Sequence, residues 1–139
     1  LTRQYTREMA YFLAKTDPET YSLEDFERDG ETEWDGVHNY EAINYIKTMR
    51  PGDVVYIYLS QTAKAILGLA EVVGEPYENK SDPRFSLAVR LKFIKRTKPV
   101  TLSEVKADPS LKKFKLVTHS RLSVMAVDDK VAAWINPRL

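Results

Sequence analysis

Apolar positions along this chain fall in short runs, most of them too short for anything but strands and brief helices. Residues 10–15 are apolar until Lys15, which predicts a first strand. Ser22 with Asp25 three residues on is a capping-box pattern, and it predicts a short helix over residues 23–28 that Gly30 ends. Trp34-Asp35-Gly36 has the composition of a turn. Asn39 is a good N-cap, and Ala42, Tyr45, Ile46 and Met49 follow on one helical face that Pro51 stops. Residues 54–60 predict a strand with unlike faces. Val55, Ile57 and Leu59 are expected toward a core, with Tyr56, Tyr58 and Ser60 on an amphipathic face. Residues 66–73 predict the next strand, where Gly68 marks a bulge or the close approach of another backbone. Phe85, Leu87, Val89, Leu91 and Phe93 give the cleanest two-residue period in the chain. Ser103 is expected to cap a short helix before Asp108-Pro109. Residues 122–127 are expected to form a last strand, and Asp128 to cap a closing helix with Val131, Ala132 and Ile135.

This order lacks a helical crossover between every pair of strands, which argues against a doubly wound parallel sheet. The expectation is an α+β fold, a small barrel-like sheet of mainly antiparallel strands flanked by short helices. Residues 1–8 are polar and without a period, whereas Met9 opens the first apolar run. Residues 1–8 are therefore read as an N-terminal extension outside the fold, and residues 9–139 as one domain, near the usual size of ~100–150 residues.

Composition narrows the chemistry. At 43% hydrophobic and 29% charged, the 139-residue chain has a globular makeup, so wholesale disorder is not expected. Cysteine is absent, which removes disulfides, thiolate metal sites and a cysteine nucleophile, and suits a reducing compartment. His38 and His119 are the only histidines, so neither a metal nor another cofactor is expected. No apolar run approaches the ~18 residues of a membrane span, and no signal-peptide pattern opens the chain. The expected setting is the cytoplasm, or the nucleus in a eukaryote, with no membrane partner.

The net charge of +1 hides a division. Residues 1–83 hold eight basic and sixteen acidic residues, a net of −8; residues 84–139 hold thirteen and four, a net of +9. The acidic part is densest from Asp17 to Asp35, the basic part from Arg84 to Lys115 and on to Arg121. Such a division either steers a polyanion to one face or lets the two halves attract each other.

The familiar catalytic and phosphate-binding patterns are missing: no glycine-rich phosphate loop, no H-E-x-x-H, no G-x-S-x-G. What remains is four short clusters at strand ends and helix starts, where pockets form. They are Lys15-Thr16-Asp17-Pro18, Trp34 to Tyr40, Tyr56 to Ser60, and His119 to Val124. Each alone has a plain structural use: Trp34 in a core, Asn39 as a cap, Tyr56 and Tyr58 as strand formers, Arg121 as a partner of the acidic stretch.

In this order the clusters resemble the EVE domain family, within the PUA-like group that also holds YTH and ASCH domains. The family's Tyr-Trp-Leu strand running into Lys-Ser-Glu-Pro and Tyr-Ser reads here as residues 11–18, then Tyr21-Ser22. Trp-Asp-Gly-Val-Arg-Asn-Tyr recurs with His38 in place of Arg. The Met-x-x-Gly-Asp turn is residues 49–53, and the Phe-Tyr-His-Ser strand end is residues 57–60 with Leu59 in place of His. The Ile-x-Gly-x-Ala-Glu-Val strand is residues 66–72, and Arg-Leu-Ser-Val is intact at residues 121–124. The resemblance covers about residues 10–136.

The resemblance implies a PUA-like pseudo-barrel with a pocket on one side. It also implies a module that reads modified bases, such as methylated or hydroxymethylated cytosine, in DNA or RNA. A base drawn from its stack needs an aromatic platform and hydrogen bonds to its polar edge. Trp34 is the expected platform, Asn39, Ser60 and Ser123 the readers of donor and acceptor positions, and Lys15 and Arg121 the contacts to carbonyl oxygens or phosphate. Thr16 and Tyr58 complete the expected site. Both replacements, His38 and Leu59, make its surroundings less polar. Two other readings stand beside this one. One is an ASCH-like hydrolase of modified nucleosides or RNA, with Lys15 as base and Thr16 as nucleophile. The other is a protein-interaction module that uses the acidic face.

Overall fold

The computed structural model describes residues 9–139, so the expected extension over residues 1–8 lies outside the described residues. Seven strands form one sheet: β1 (Tyr11–Thr16), β2 (Glu31–Val37), β3 (Val54–Leu59), β4 (Ala65–Val72), β5 (Tyr77–Glu78), β6 (Leu87–Thr101) and β7 (Val124–Val127). Five short α-helices accompany it: α1 (Leu23–Asp29), α2 (Tyr40–Lys47), α3 (Leu102–Ala107), α4 (Lys115–Thr118) and α5 (Asp129–Ile135). The strand order is β2-β6-β4-β3-β1-β7, with β5 added beside β6. Only β1 and β3 pair in parallel; every other ladder is antiparallel. The sheet curls into a half-barrel, so β2 at one end of the order comes to face β1 and the approach to β7 at the other.

Local chemistry sets the helix starts. Ser22 and Asp25 exchange both capping-box bonds, and Gly30 closes α1 at φ +76°, a conformation costly for other residues. The side chains of Asn39 and Asp128 accept from the main-chain N–H of Ala42 and Val131, which starts α2 and α5. The cap of α3 is Thr101 rather than Ser103. Thr101 completes a reciprocal box with Glu104, and Ser103 sits inside the helix.

Three expectations about strands change. Trp34-Asp35-Gly36 is not a turn but the end of β2, and the ladder with β6 slips there by a bulge. Gly36, at φ +75°, supplies the left-handed step that a bulge requires. Tyr56 and Tyr58 do not lie on an amphipathic face, being 0% and 3% exposed. β3 is central in the sheet and covered on both sides. The Tyr56 hydroxyl donates to Asn136 Oδ1 at 2.6 Å, and its ring stacks on Tyr11 with centroids 5.9 Å apart. The alternating segment begins as strand at Leu87, leaving Phe85 exposed, and continues to Thr101 as the long β6. Gly68 marks a bulge, and its close neighbour is a side chain rather than another backbone, the nearest main-chain atom being Lys95 O at 3.8 Å from a Cβ placed there. The β4–β6 register shifts beside it, and a Cβ there would lie 2.7 Å from Leu23 Cδ1.

The two charged halves meet. Arg96 pairs with Glu24 and Glu27, Arg90 with Glu31, and Lys115 with Glu41.

Candidate functional site

The cleft lies where the curled sheet fails to close. Its volume is about 450 Å³, within the ~300–1,000 Å³ of small-molecule sites. One wall is the end of β1 with the loop behind it: Lys15, Thr16, Asp17, Thr20 and Tyr21. The opposite wall is β2 from Thr32 to Val37, and Ser123, just before β7, completes the rim.

Trp34 is half-buried in this cleft, neither free in solvent nor lost in the core. Tyr21 meets it edge-on, centroids 6.4 Å apart at 83°, and Phe26 packs at 6.0 Å. Phe26 is itself held by Phe93 at 5.4 Å. The indole is therefore held by ring contacts, one of them to Tyr21, another cleft residue, while it lines the open space as a stacking surface.

Lys15 faces it from β1. Burial pushes its ammonium below the usual lysine range. Its Nζ donates to the Ser120 carbonyl at 3.1 Å and stands 5.9 Å from the centre of the Tyr58 ring. Its main-chain N–H donates to the Ser123 carbonyl at 2.8 Å, so the loop that carries Ser123 is tied to β1 at two points. Thr16 is buried, and its hydroxyl donates to the Tyr21 carbonyl at 2.7 Å.

The structure brings together Lys15, Thr16, Trp34 and Ser123 as residues that line the cleft. Tyr58 and Ser60 stand one layer behind. Tyr58 is opposite Lys15 in the parallel ladder, and the hydroxyl and N–H of Ser60 both donate to the Thr16 carbonyl, at 3.3 and 3.1 Å. They hold β1 rather than line the space. Asn39 is outside it, exposed, with its side-chain oxygen engaged by Ala42 as the α2 cap. Arg121 is exposed on the loop between Ser120 and Ser123, and among the described residues no carboxylate pairs with it.

Several lining residues escaped the sequence reading. Tyr21 had a signal, an aromatic three residues after Lys-Thr-Asp-Pro. Thr32 and Glu33 had none, because only the structure shows the alternation of half-buried Thr32 and Trp34 with exposed Glu31 and Glu33. Glu33 accepts from the Tyr77 hydroxyl, which pushes the phenol up to about 12. Burial and the neighbouring Glu33 carboxylate raise the Asp35 carboxyl above its ordinary range. His38 does not enter the cleft. It meets Asp82 at 2.7 Å, and that carboxylate also accepts from the Ser86 hydroxyl and the Arg84 N–H, which together hold it at about 2. This ties the loop before β6 to the end of β2.

The arrangement can bind a flat ring against Trp34 and satisfy polar atoms at its edge. It does not form a nucleophile–base pair from Lys15 and Thr16. The Lys15 ammonium donates to the Ser120 carbonyl and the Thr16 hydroxyl to the Tyr21 carbonyl, so no hydrogen bond joins the two side chains.

A family model described as the EVE domain matches residues 10–137. Thymocyte nuclear protein 1 of Rattus norvegicus is 29% identical over 82% of this chain and 66% of its own length, so the chain spans just under two thirds of that relative. Among solved structures, Rpa0253 from Rhodopseudomonas palustris is 35% identical with a TM-score of 0.84, covering 91% of this chain and 90% of that one. The human THYN1 protein, solved in complex with DNA that contains 5-methylcytosine, is 25% identical with a TM-score of 0.83, covering 91% and 95%.

Proposed function

The chain belongs to the EVE domain family, and from that premise we propose that its cleft takes up a nucleobase drawn from a DNA or RNA strand, with methylated cytosine as the leading ligand. The observation that carries this is Trp34: an indole held by ring contacts with Tyr21 and Phe26 while it lines a cleft of base-binding size. Stacking on such a ring is worth about 1–3 kcal/mol per base and tolerates any base. Lys15 and Ser123 supply polar contacts across from it. Arg121 stands on the adjoining loop as a free cation for the phosphate that follows the extruded base. The human relative's complex with methylated DNA supports the same ligand class.

The test is a panel of short oligonucleotides, each with one central base: cytosine, 5-methylcytosine, adenine, N6-methyladenine, uracil, or none. Wild type is expected to bind base-containing strands more tightly than the abasic one. Trp34→Ala is expected to lose that advantage for every base, about tenfold or more. Trp34→Phe, which keeps a ring, should retain part of it. Equal binding of the abasic strand by wild type would remove the reading. Release of a product from any of the bases would replace it with the hydrolase.

A further inference from the structure

β2 ends the strand order, so one of its edges has no partner strand among the described residues. Which main-chain groups face that edge follows from the ladder. The Phe93 N–H donates to the Gly30 carbonyl at 2.7 Å, and Gly30 stands opposite Phe93 in the register that pairs Glu31 with Lys92 and Trp34 with Val89. Bonded and non-bonded pairs alternate in an antiparallel ladder. Thr32 and Trp34 therefore turn their N–H and C=O groups to β6, and Glu33 turns both of its own to the free edge.

Side chains alternate the other way. Trp34 points inward, whereas Glu33 points to the outer face, where it holds the Tyr77 hydroxyl. Glu33 nevertheless lines the cleft. With its carboxylate engaged outside, what it presents there is its main chain, one donor and one acceptor side by side. Among the described residues neither group has a protein partner. A base lying on the Trp34 ring is next to the residue whose main chain is free.

We propose that the Glu33 main chain, at the open edge of β2, reads the polar edge of the bound base, its N–H donating to a ring or carbonyl acceptor and its C=O accepting from an amino or ring N–H. The inference rests on the base-binding reading above. It is main-chain recognition of the kind an edge strand offers a peptide, turned to a small planar ligand. The edge suits a base better than another strand. Glu31, Glu33 and Asp35 charge it, and the bulge after Trp34 breaks its regularity. A base has the adjacent donor and acceptor needed, and the 5-substituent of a cytosine lies off that polar edge, which fits a reader that accepts the methylated form.

The inference separates side chain from main chain, and proline does the same. Proline at an edge position whose N–H faces away from the ladder leaves the sheet intact. Glu33→Pro removes the donor; Glu33→Ala removes only the carboxylate. The readout is the ratio of affinities for a single-stranded oligonucleotide with one 5-methylcytosine and for the same strand abasic at that position. Glu33→Ala is the reference for loss of the side chain, and Glu33→Pro is expected to lose about a further tenfold of the ratio relative to it. A folded Glu33→Pro that keeps the ratio of Glu33→Ala overturns the inference. Amide hydrogen exchange on the unaltered protein gives the same decision without a variant. The Glu33 amide should exchange fast in the free protein and slow on adding the methylated strand; exchange that does not change overturns the inference even if Glu33→Pro fails to fold. A ratio that depends on Trp34 but not on the Glu33 main chain sinks this inference alone. A ratio of one in wild type sinks both.

Discussion

A lysine held half-buried beside a ring behaves differently from one in water, and Lys15 makes that measurable. Desolvation disfavours its charged form, so it loses its proton below the 10.5 of a free lysine. An ammonium that contacts a base carbonyl or phosphate contributes only while charged. Affinity for the 5-methylcytosine strand is therefore expected to be constant near neutrality and to fall as pH rises, with a midpoint below 10.5. Lys15→Met should bind more weakly at pH 7 and lose that pH dependence. A titration of both proteins from pH 7 to 10 checks this. Asn39 gives a contrasting expectation. Its side-chain oxygen is engaged by the α2 N-terminus and it does not line the cleft, so Asn39→Ala should cost about 1 kcal/mol of stability without reordering the oligonucleotide panel. Asn39→Asp keeps the cap and should restore the melting temperature. A changed base ranking in Asn39→Ala would put the amide back among the readers.

Elements record which signals in a sequence are local. The caps at Ser22, Asn39 and Asp128 were legible because each is settled within four residues of chain. Thr101 was equally legible, since Glu104 stands three residues on. Ser103 drew attention instead, although its third neighbour, Lys106, cannot complete a box. The burial of Tyr56 and Tyr58 was not legible, because alternation within β3 cannot tell whether a helix covers the second face. The β2 strand hid behind its charges: Glu31, Glu33 and Asp35 read as a solvated run, and the glycine of a bulge looks like that of a turn. For the cleft, Lys15, Thr16, Trp34 and Ser123 could be read from motif order. Glu33 could not, because what it offers is its main chain. Gly68 was read as a bulge or the close approach of another backbone; the bulge is present, and the close neighbour is the Leu23 side chain. Gly68→Ala places a methyl 2.7 Å from the end of the Leu23 side chain and 3.5 Å from Ile57 Cβ. Leu23 can rotate partly away, so the expected loss is about 1–2 kcal/mol in denaturant unfolding, and larger for Gly68→Val. A neutral Gly68→Ala would mean that the contact between α1 and β4 is loose.

At the scale of the molecule, the division of charge is partly used up in folding. Arg90, Arg96 and Lys115 each meet a carboxylate from the acidic half, although solvent screens exposed pairs of this kind and leaves them little weight in stability. Arg84, Lys95, Lys98 and Arg121 have no such partner among the described residues. A cation already paired gains little by meeting a phosphate, whereas a free one releases a counterion. The slope of log affinity against log salt should therefore flatten by about 0.7 for Arg121→Ala on a single strand, and hardly at all for Arg96→Ala. Titrations between 50 and 200 mM salt, the range over which such slopes are read, make the comparison. An unchanged slope in Arg121→Ala would move the phosphate contact to another of the free cations.

The pairing of β1 with β7 also carries a consequence for how the protein comes into being. Tyr11 stands against Val127 and Ala14 against Val124, while Lys15 is bonded to Ser123. β1 leaves a ribosome well before β7 and gains that partner only when β7 follows, and the Ser123 rim of the cleft waits with it. The intervening stretch, roughly 110 residues, takes on the order of 5–20 s to synthesise. For most of that interval β1 has β3 as its one sheet neighbour, and the cleft lacks its Ser123 rim. A chain halted before residue 123 therefore lacks the part of the cleft rim that the approach to β7 supplies.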